Sequence, residues 1–386
     1  METFKTLTKA AIPLCEPNLR GNEKQYIVDA IDSNWLSGGA YLNQFEKKLA
    51  AFTGASYVIG TSSGTTALHI SLILAGVEPN DLVILPNLTF VATANAVKYV
   101  QADPILMDID SKTWVMDVNL LAEFLAEQTY VKNETCYYKK NNRRIKAIIP
   151  VHLLGNMCDM QQLHRLAIQY GLTIVEDAAC SLGSFQKEKH SGTFGLTGTL
   201  SFNSNKIITT GGGGAILTND ESVAKKAKHL ITQAKSSATD YFHDTLGYNY
   251  RLVNPLAAIG TAQMELLPQF LQIKQQITDN YKRALEGLPV QFQEITLGTV
   301  SNAWHCALLT RKRSDLISFL ASENIESRPL WIPINELPIF KNDAYINRNN
   351  NAKKVSESGI MLPCSTSATN EQIERVCESV IAFLTK

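Results

Sequence analysis

The chain has 386 residues, of which 45% are hydrophobic and 19% charged, so a mainly disordered protein is excluded and two domains are expected. Its 36 Lys and Arg balance 36 Asp and Glu, which leaves no electrostatic case for nucleic acid or an anionic membrane as a main partner. No apolar run is long enough for a signal-peptide core or a bilayer span, and seven cysteines stand without a Cys-x-x-Cys pair. This pattern predicts a reducing, cytoplasmic setting with neither a disulfide framework nor a zinc site.

In chain order, apolar β-type runs at 56–60, 82–85, 104–107, 147–151, 172–175 and 200–202 alternate with helical patterns at 66–75, 89–99 and 160–170. Near-continuous apolar strands between helices predict a mainly parallel sheet covered on both faces. The polar, basic stretch 132–146 reads as a solvated hairpin or loop inserted before a strand. After residue 250 the texture changes. Asn254-Pro255 predicts a capped helix to about Leu266, and Pro268 is expected to open a second that stops near Gly287. A smaller α/β unit follows, with a strand at 304–309, a helix at 315–323 and a final helix. Thr369 and Gln372 form a capping box there, and apolar residues at 373, 376, 377, 380, 381 and 384 share one face. The expected division is a large domain over 1–250 and a small one over 251–386, with segment 1–30 packing on the small domain.

Four features point to chemistry. Gly60-Thr61-Ser62-Ser63-Gly64-Thr65-Thr66 joins a strand to a helix, where unpaired N–H groups and small residues suit a phosphate. Glu176-Asp177 ends a buried strand, where open α/β sheets bind ligands, and a buried carboxylate there needs a positive partner. Lys206 ends another strand and precedes the run Gly211 to Gly214, and burial would favour its nucleophilic form. Phe90 opens a helix, placed to lie flat on a heteroaromatic ring. Taken singly, each has a structural explanation: a capped turn, a helix cap, a solvated lysine, a core aromatic. His152 reads as a hydrogen-bonded structural histidine, and Trp304 and Trp331 as packing residues.

Together and in this order the four match a pyridoxal 5′-phosphate site. The chain resembles the DegT/DnrJ/EryC1/StrS family of sugar aminotransferases over nearly its whole length. The marks are Glu176-Asp177-Ala178-Ala179, Ser201-Phe202-x-x-x-Lys206 with its glycines, Gly247-Tyr248-Asn249-Tyr250-Arg251 and Arg328-Pro329-Leu330-Trp331. The resemblance implies an α/β, type I (aspartate aminotransferase-like) fold. It implies Lys206 as the lysine that binds the cofactor aldehyde and Asp177 as the partner of the ring nitrogen. Ser63, Gly64, Thr65 and Ser201 would hold the phosphate, Phe90 would stack on the ring, and Asn249 would reach the phosphate across a homodimer interface. Arg328, Trp35 and Asn203 would face the sugar nucleotide. Cys180 departs from the family, whose members often carry Gln, His or Glu there. It falls among the cofactor-contacting positions but reads as a small apolar filler. The segments 201–214, 247–252 and 328–331 resemble enzymes of the bacillosamine and legionaminic-acid pathways. That implies glutamate as amino donor and a UDP-linked 4-keto-6-deoxy-N-acetylhexosamine as acceptor. A GDP-linked ketosugar, as in perosamine synthesis, is the competing acceptor. The same fold would also accommodate a cofactor-dependent sugar dehydratase or a non-catalytic regulatory relative.

Overall fold

A computed structural model of the chain describes residues 10–237 and 239–386. The part of the expected 1–30 packing that falls on residues 1–9 lies outside the described residues. Two helices come first, α1 (Glu23–Asp32) and α2 (Ala40–Thr53), followed by β1 (Tyr57–Thr61) and α3 (Gly64–Leu74). Next are β2 (Leu82–Pro86), α4 (Ala92–Tyr99), β3 (Asp103–Met107) and α5 (Val118–Gln128). The basic segment forms β4 (Thr129–Lys132), β5 (Thr135–Tyr138) and β6 (Arg143–Ile148). Then come α6 (Met160–Tyr170), β7 (Thr173–Asp177), the short β8 (Phe185–Gln186) and β9 (Lys189–His190), β10 (Thr197–Ser201), β11 (Gly214–Thr218) and α7 (Glu221–Leu230).

The main sheet runs β1-β11-β10-β7-β6-β2-β3, and parallel pairing holds from β10 to β3. Between β1 and β10, β11 runs antiparallel to both neighbours, and β5 pairs antiparallel with β4 and β6 beside this run. The expected parallel strands are present within a few residues, because their apolar side chains are buried on both faces: Leu82 to Pro86 are all buried. The expected hairpin is β4–β5, turned by Asn133 and Glu134 with positive φ. Its basic flank is neutralised within the fold. Arg143 Nη2 lies 2.6 Å from Asp103 Oδ2, and Arg144 Nη2 lies 2.6 Å from Asp81 Oδ2.

One expectation is corrected after residue 250. A single 31-residue helix, α8 (Asn254–Ala284), runs through Pro268 in place of two helices. An internal proline costs about 3 kcal/mol. Burial of Leu267, Phe270, Ile277 and Tyr281 along the same helix offsets it, with α1 and α2 packed against it. Asn254 is not the cap. Val253 precedes the helix, and buried Asn254 Oδ1 accepts from Leu42 N at 3.2 Å.

The remaining elements are β12 (Gln291–Phe292), β13 (Thr299–Val300), β14 (Cys306–Leu309), α9 (Arg313–Ser322), β15 (Arg328–Pro329), β16 (Ala344–Ile346), α10 (Asn351–Ser358), β17 (Gly359–Leu362) and α11 (Asn370–Leu384). Strands β12-β14-β17-β15 form an antiparallel sheet covered by α9 and α11, with its own core of Leu308, Leu316, Ile360 and Val376. The capping box of α11 is formed as read, with Thr369 Oγ1 accepting from Gln372 N at 3.3 Å. Strand β16 leaves this unit and pairs parallel with β3 at the edge of the main sheet. Ile12 bridges to Ile325 beside the second core.

Candidate active site

The ends of β1, β2, β7 and β10 open toward β15 and β17, and between them lies a cleft of about 700 Å³. It is lined by Ser63, Gly64, Thr65, Phe90, Asp177, Cys180, Ser201, Asn203, Lys206 and Arg328. Ten of the twelve residues singled out from sequence therefore share one space. Trp35 is 71% exposed and lines a different hollow, with Gly38, Lys228 and Arg251. Asn249 is exposed and is not among the residues lining the cleft.

Asp177 is the last residue of β7 and is flanked by parallel neighbours on both sides, which bury it. Its Oδ2 accepts from Thr93 Oγ1 at 2.7 Å and its Oδ1 from the backbone N–H of Ala179 at 3.1 Å. Among the described residues it makes no ion pair with a lysine or arginine. Its strand neighbour Glu176 points to the other face. That carboxylate is fully buried and accepts from the N–H groups of Gly192, Phe194 and Gly195 and from His152 Nε2 at 2.9 Å. His152 is thus a partner of the structural acid, not of the cleft.

At the start of α3, Ser63 and Thr66 close a reciprocal capping box: Ser63 Oγ accepts from Thr66 N and Thr66 Oγ1 from Ser63 N. The amides of Gly64 and Thr65 have no intrahelical acceptor at this helix end. Glycine is required at 64 and 214 by close approach. A Cβ on Gly64 would lie 2.8 Å from Ser201 Cβ, and one on Gly214 2.5 Å from the Ser63 backbone. The end of the glycine run thus seats β11 against this turn.

Lys206 Nζ sits 4.1 Å from the centroid of the Trp304 ring and 3.3 Å from Cys180 Sγ. Burial pushes the Cys180 thiol up, against the opposing pull of Lys206. Trp304 is fixed in turn by its Nε1, which donates to Asn205 O at 2.8 Å. The guanidinium of Arg328 is held by Glu326 Oε1, at 3.1 Å from Nε and 2.9 Å from Nη2. Sequence reasoning missed Thr93, Glu326 and His305, and gave Trp304 only a packing role. All four line the cleft. Thr93 lies three residues after Phe90 on the same helix entry, a spacing that could have flagged it.

A helix end with free amides, a buried acid without a cation, a lysine and an accessible aromatic form one chemical set. The DegT/DnrJ/EryC1/StrS aminotransferase family profile matches residues 17–381. The chain belongs to this family. It is 38% identical over 376 residues to the GDP-perosamine synthase of Escherichia coli O157:H7, covering 96% of this chain and 98% of that one. The GDP-perosamine synthase of Vibrio cholerae is 33% identical, with 96% and 98% covered. Among solved structures, a DegT DnrJ EryC1 StrS aminotransferase from Brucella abortus superposes with a TM-score of 0.88 at 26% identity, covering 95% and 96%. The chain is accordingly a pyridoxal-phosphate-dependent sugar aminotransferase of fold type I.

The residues present fit that cofactor. The buried Asp177 carboxylate lacks a cation, and a protonated ring nitrogen would supply one. The α3 amides, with Gly64 kept free of a side chain, suit a phosphate. Phe90, 57% exposed within the cleft, offers a ring face. Among the described residues no helix is long and apolar enough to cross a membrane.

Proposed function

We propose that this enzyme moves an amino group from glutamate to C4 of a nucleotide-linked 4-keto-6-deoxy sugar, with GDP-linked 4-keto-6-deoxymannose as the acceptor. The observation that carries the reaction is the meeting of Lys206, Asp177 and the α3 amides in one cleft. The choice of GDP is supported by the 38% identity to a GDP-perosamine synthase. The UDP-linked acceptor expected from local motifs is the competing outcome of the same test.

Bound pyridoxal 5′-phosphate supplies an electron sink for carbanion charge. Around it, Asp177 holds a proton at the ring nitrogen, with its own carboxylate aimed by Thr93 and Ala179. Lys206 Nζ carries the cofactor between turnovers. When substrate displaced it, the free Lys206 amine would serve as base and then acid for the proton on the substrate carbon. Trp304 gives the freed side chain a resting place on its ring face. Ser63, Gly64, Thr65 and Ser201 anchor the phosphate, Phe90 bounds the ring, and Cys180 contributes a neutral thiol beside Lys206. Arg328, with Glu326, and Asn203 meet the substrate on the side of β15. In the second half-reaction the same residues run the proton transfers in reverse.

The active unit is a homodimer in this reading. Asn249 and Trp35 would act in the cleft of a second copy. In support, the large apolar side chains Trp35, Leu36, Tyr241, Phe242 and Leu246 are left exposed on this chain, as residues covered by a second copy would be.

The test is a panel of GDP-, UDP- and TDP-linked 4-keto sugars with product NMR. A new C4 amine on the GDP sugar is expected. The same product formed only from a UDP sugar would replace the acceptor and leave the chemistry standing. Borohydride reduction of the holoenzyme should attach the cofactor to Lys206, and label on another lysine would reject the assignment.

A further inference from the structure

The second core meets a lysine that this reaction does not use. Lys274, on α8, is 2% exposed. Its hydrogen-bond partners are two carbonyl oxygens, Trp304 O at 2.9 Å and Cys364 O at 2.6 Å, with Cys364 Sγ at 3.4 Å, and no carboxylate is among them. Taking a lysine Nζ out of water is costly, and ion pairing does not explain this one. The backbone around it does. The β14–β17 ladder ends at the pair Cys306–Leu362. Pro363 follows, and it has no N–H with which to continue the ladder. Past that point the N–H groups turn elsewhere: Cys364 N donates to Leu14 O at 2.9 Å, and Trp304 N to Asn302 Oδ1 at 3.0 Å. The carbonyls of Trp304 and Cys364, both buried, are thereby left without a rung, and a buried acceptor needs a donor. Lys274 serves both from one atom. Tyr281, further along α8, does the same for Pro363 O at 2.8 Å.

One of these carbonyls belongs to the residue on which Lys206 rests. Trp304 is entered from Ala303, whose φ of +50° is a left-handed conformation that a side chain disfavours, so bonds must hold the turn. Each polar atom of Trp304 is gripped by a different part of the fold: N by Asn302, O by Lys274, and Nε1 by Asn205 O at 2.8 Å. Apart from Lys274, the Trp304 oxygen meets only the Cys364 thiol, at 3.6 Å. Asn205 immediately precedes Lys206. The reacting lysine's own loop therefore holds the ring end of the indole, and Lys274 holds its backbone end.

We propose that Lys274 is a positioning residue for amine transfer. In place of the missing rung it fixes the Trp304 peptide, and through it the indole face that Lys206 Nζ meets at 4.1 Å. Without that donor the peptide turns toward another partner. The ring face, the Nε1 bond and the near-parallel contact with Trp331, at 6.4 Å and 15°, then shift together. The inference rests on Lys206 as the reacting lysine only for its effect on rate, because the position of the indole is readable without turnover.

The experiment labels the holoenzyme with nitrogen-15 tryptophan. The chain has four tryptophans and so four indole N–H resonances, and that of Trp304 is the one lost in Trp304→Phe. Lys274→Met should displace the Trp304 resonance, leave that of buried Trp114 in place, and lower kcat about tenfold, the scale of a cation–ring contact. Lys274→Gln keeps a donor on a shorter arm. It should show part of the displacement, and it is read instead if the Met variant does not fold. Tyr281→Phe removes a bond to the same turn without touching Trp304, so it should cost stability while the resonance and kcat stay at wild type. Trp304→Phe leaves Lys274 in place and should itself lower kcat, and in that background Lys274→Met should cost no further rate. An unmoved Trp304 resonance in a folded Lys274 variant overturns the proposal. So does an equal displacement in Tyr281→Phe, full turnover by Trp304→Phe, or losses of kcat that add across the two positions. If borohydride labelled a lysine other than Lys206, the resonance would still move and only the rate effect would lapse.

Discussion

Two adjacent acids on β7 should fail in opposite ways when neutralised. Glu176 accepts four hydrogen bonds: Oε1 from Phe194 N at 2.6 Å and Gly195 N at 2.8 Å, Oε2 from Gly192 N at 2.8 Å and His152 Nε2 at 2.9 Å. Glutamine has the same shape, but one oxygen becomes an NH2 group that can only donate. Turned toward His152, which can change tautomer and accept, that group strands Gly192 N–H; turned the other way it strands two amides. One stranded buried donor costs about 1–3 kcal/mol. The two remaining bonds also lose charge assistance, about 0.5–1 kcal/mol each. Glu176→Gln should therefore lose roughly 2–5 kcal/mol of stability. Asp177→Asn keeps its partners, because an amide can accept from Ala179 N and donate to Thr93 Oγ1. It should stay within about 1 kcal/mol of wild type in stability. Its amine-transfer rate should fall about a hundredfold or more, because a neutral amide does not hold charge at the ring nitrogen. Urea unfolding followed by circular dichroism, beside initial rates, separates the two. A Glu176→Gln midpoint equal to wild type, or an Asp177→Asn enzyme at full rate, would refute the division of labour.

Three further outcomes are expected. Burial lowers His190 from 6.5 to about 4, and its Nε2 accepts from Gly183 N at 2.8 Å, which a second ring proton would prevent. The unfolded chain then binds the extra proton first, so stability falls as pH drops from 6.5 toward 4, by about 3 kcal/mol. Urea midpoints against pH should show this drop relative to His190→Gln, and parallel curves would contradict it. Gly64→Ala forces its Cβ against Ser201 and should weaken cofactor binding by about 1–3 kcal/mol, measured by equilibrium dialysis of pyridoxal phosphate; unchanged affinity would mean that the turn does not hold the phosphate. Thr93→Val removes one bond to Asp177 without changing shape and should slow transfer about tenfold; a wild-type rate would show that Ala179 N alone orients the acid.

Much of the site was legible because its residues sit at punctuation points of the chain. Ser63, Asp177, Ser201 and Lys206 lie at or just beyond strand ends, and a parallel sheet brings such ends to one edge. Glu326 and His305 were not legible, because nothing local marks an acid before a short strand or a histidine at a strand start as facing a cleft, and Thr93 was marked only by its spacing from Phe90. The continuous α8 was hidden for a related reason. Pro268 is a strong local stop signal, and only burial along the rest of the helix overrides it. Helices α1, α2, α5 and α7 and strand β11 also went unread.

By itself the sequence determined the alternation of buried strands and helices, the capping box of α11 and the order of phosphate turn, aromatic, acid and lysine. These depend on periodicity and on chemistry within a few neighbours. Only the tertiary structure decided that Asp177 meets Thr93, that Lys206 rests on Trp304, and that Lys274 reaches the carbonyls of Trp304 and Cys364. Those contacts join residues far apart in the chain, and no local pattern encodes the packing of one sheet's strand ends against another sheet.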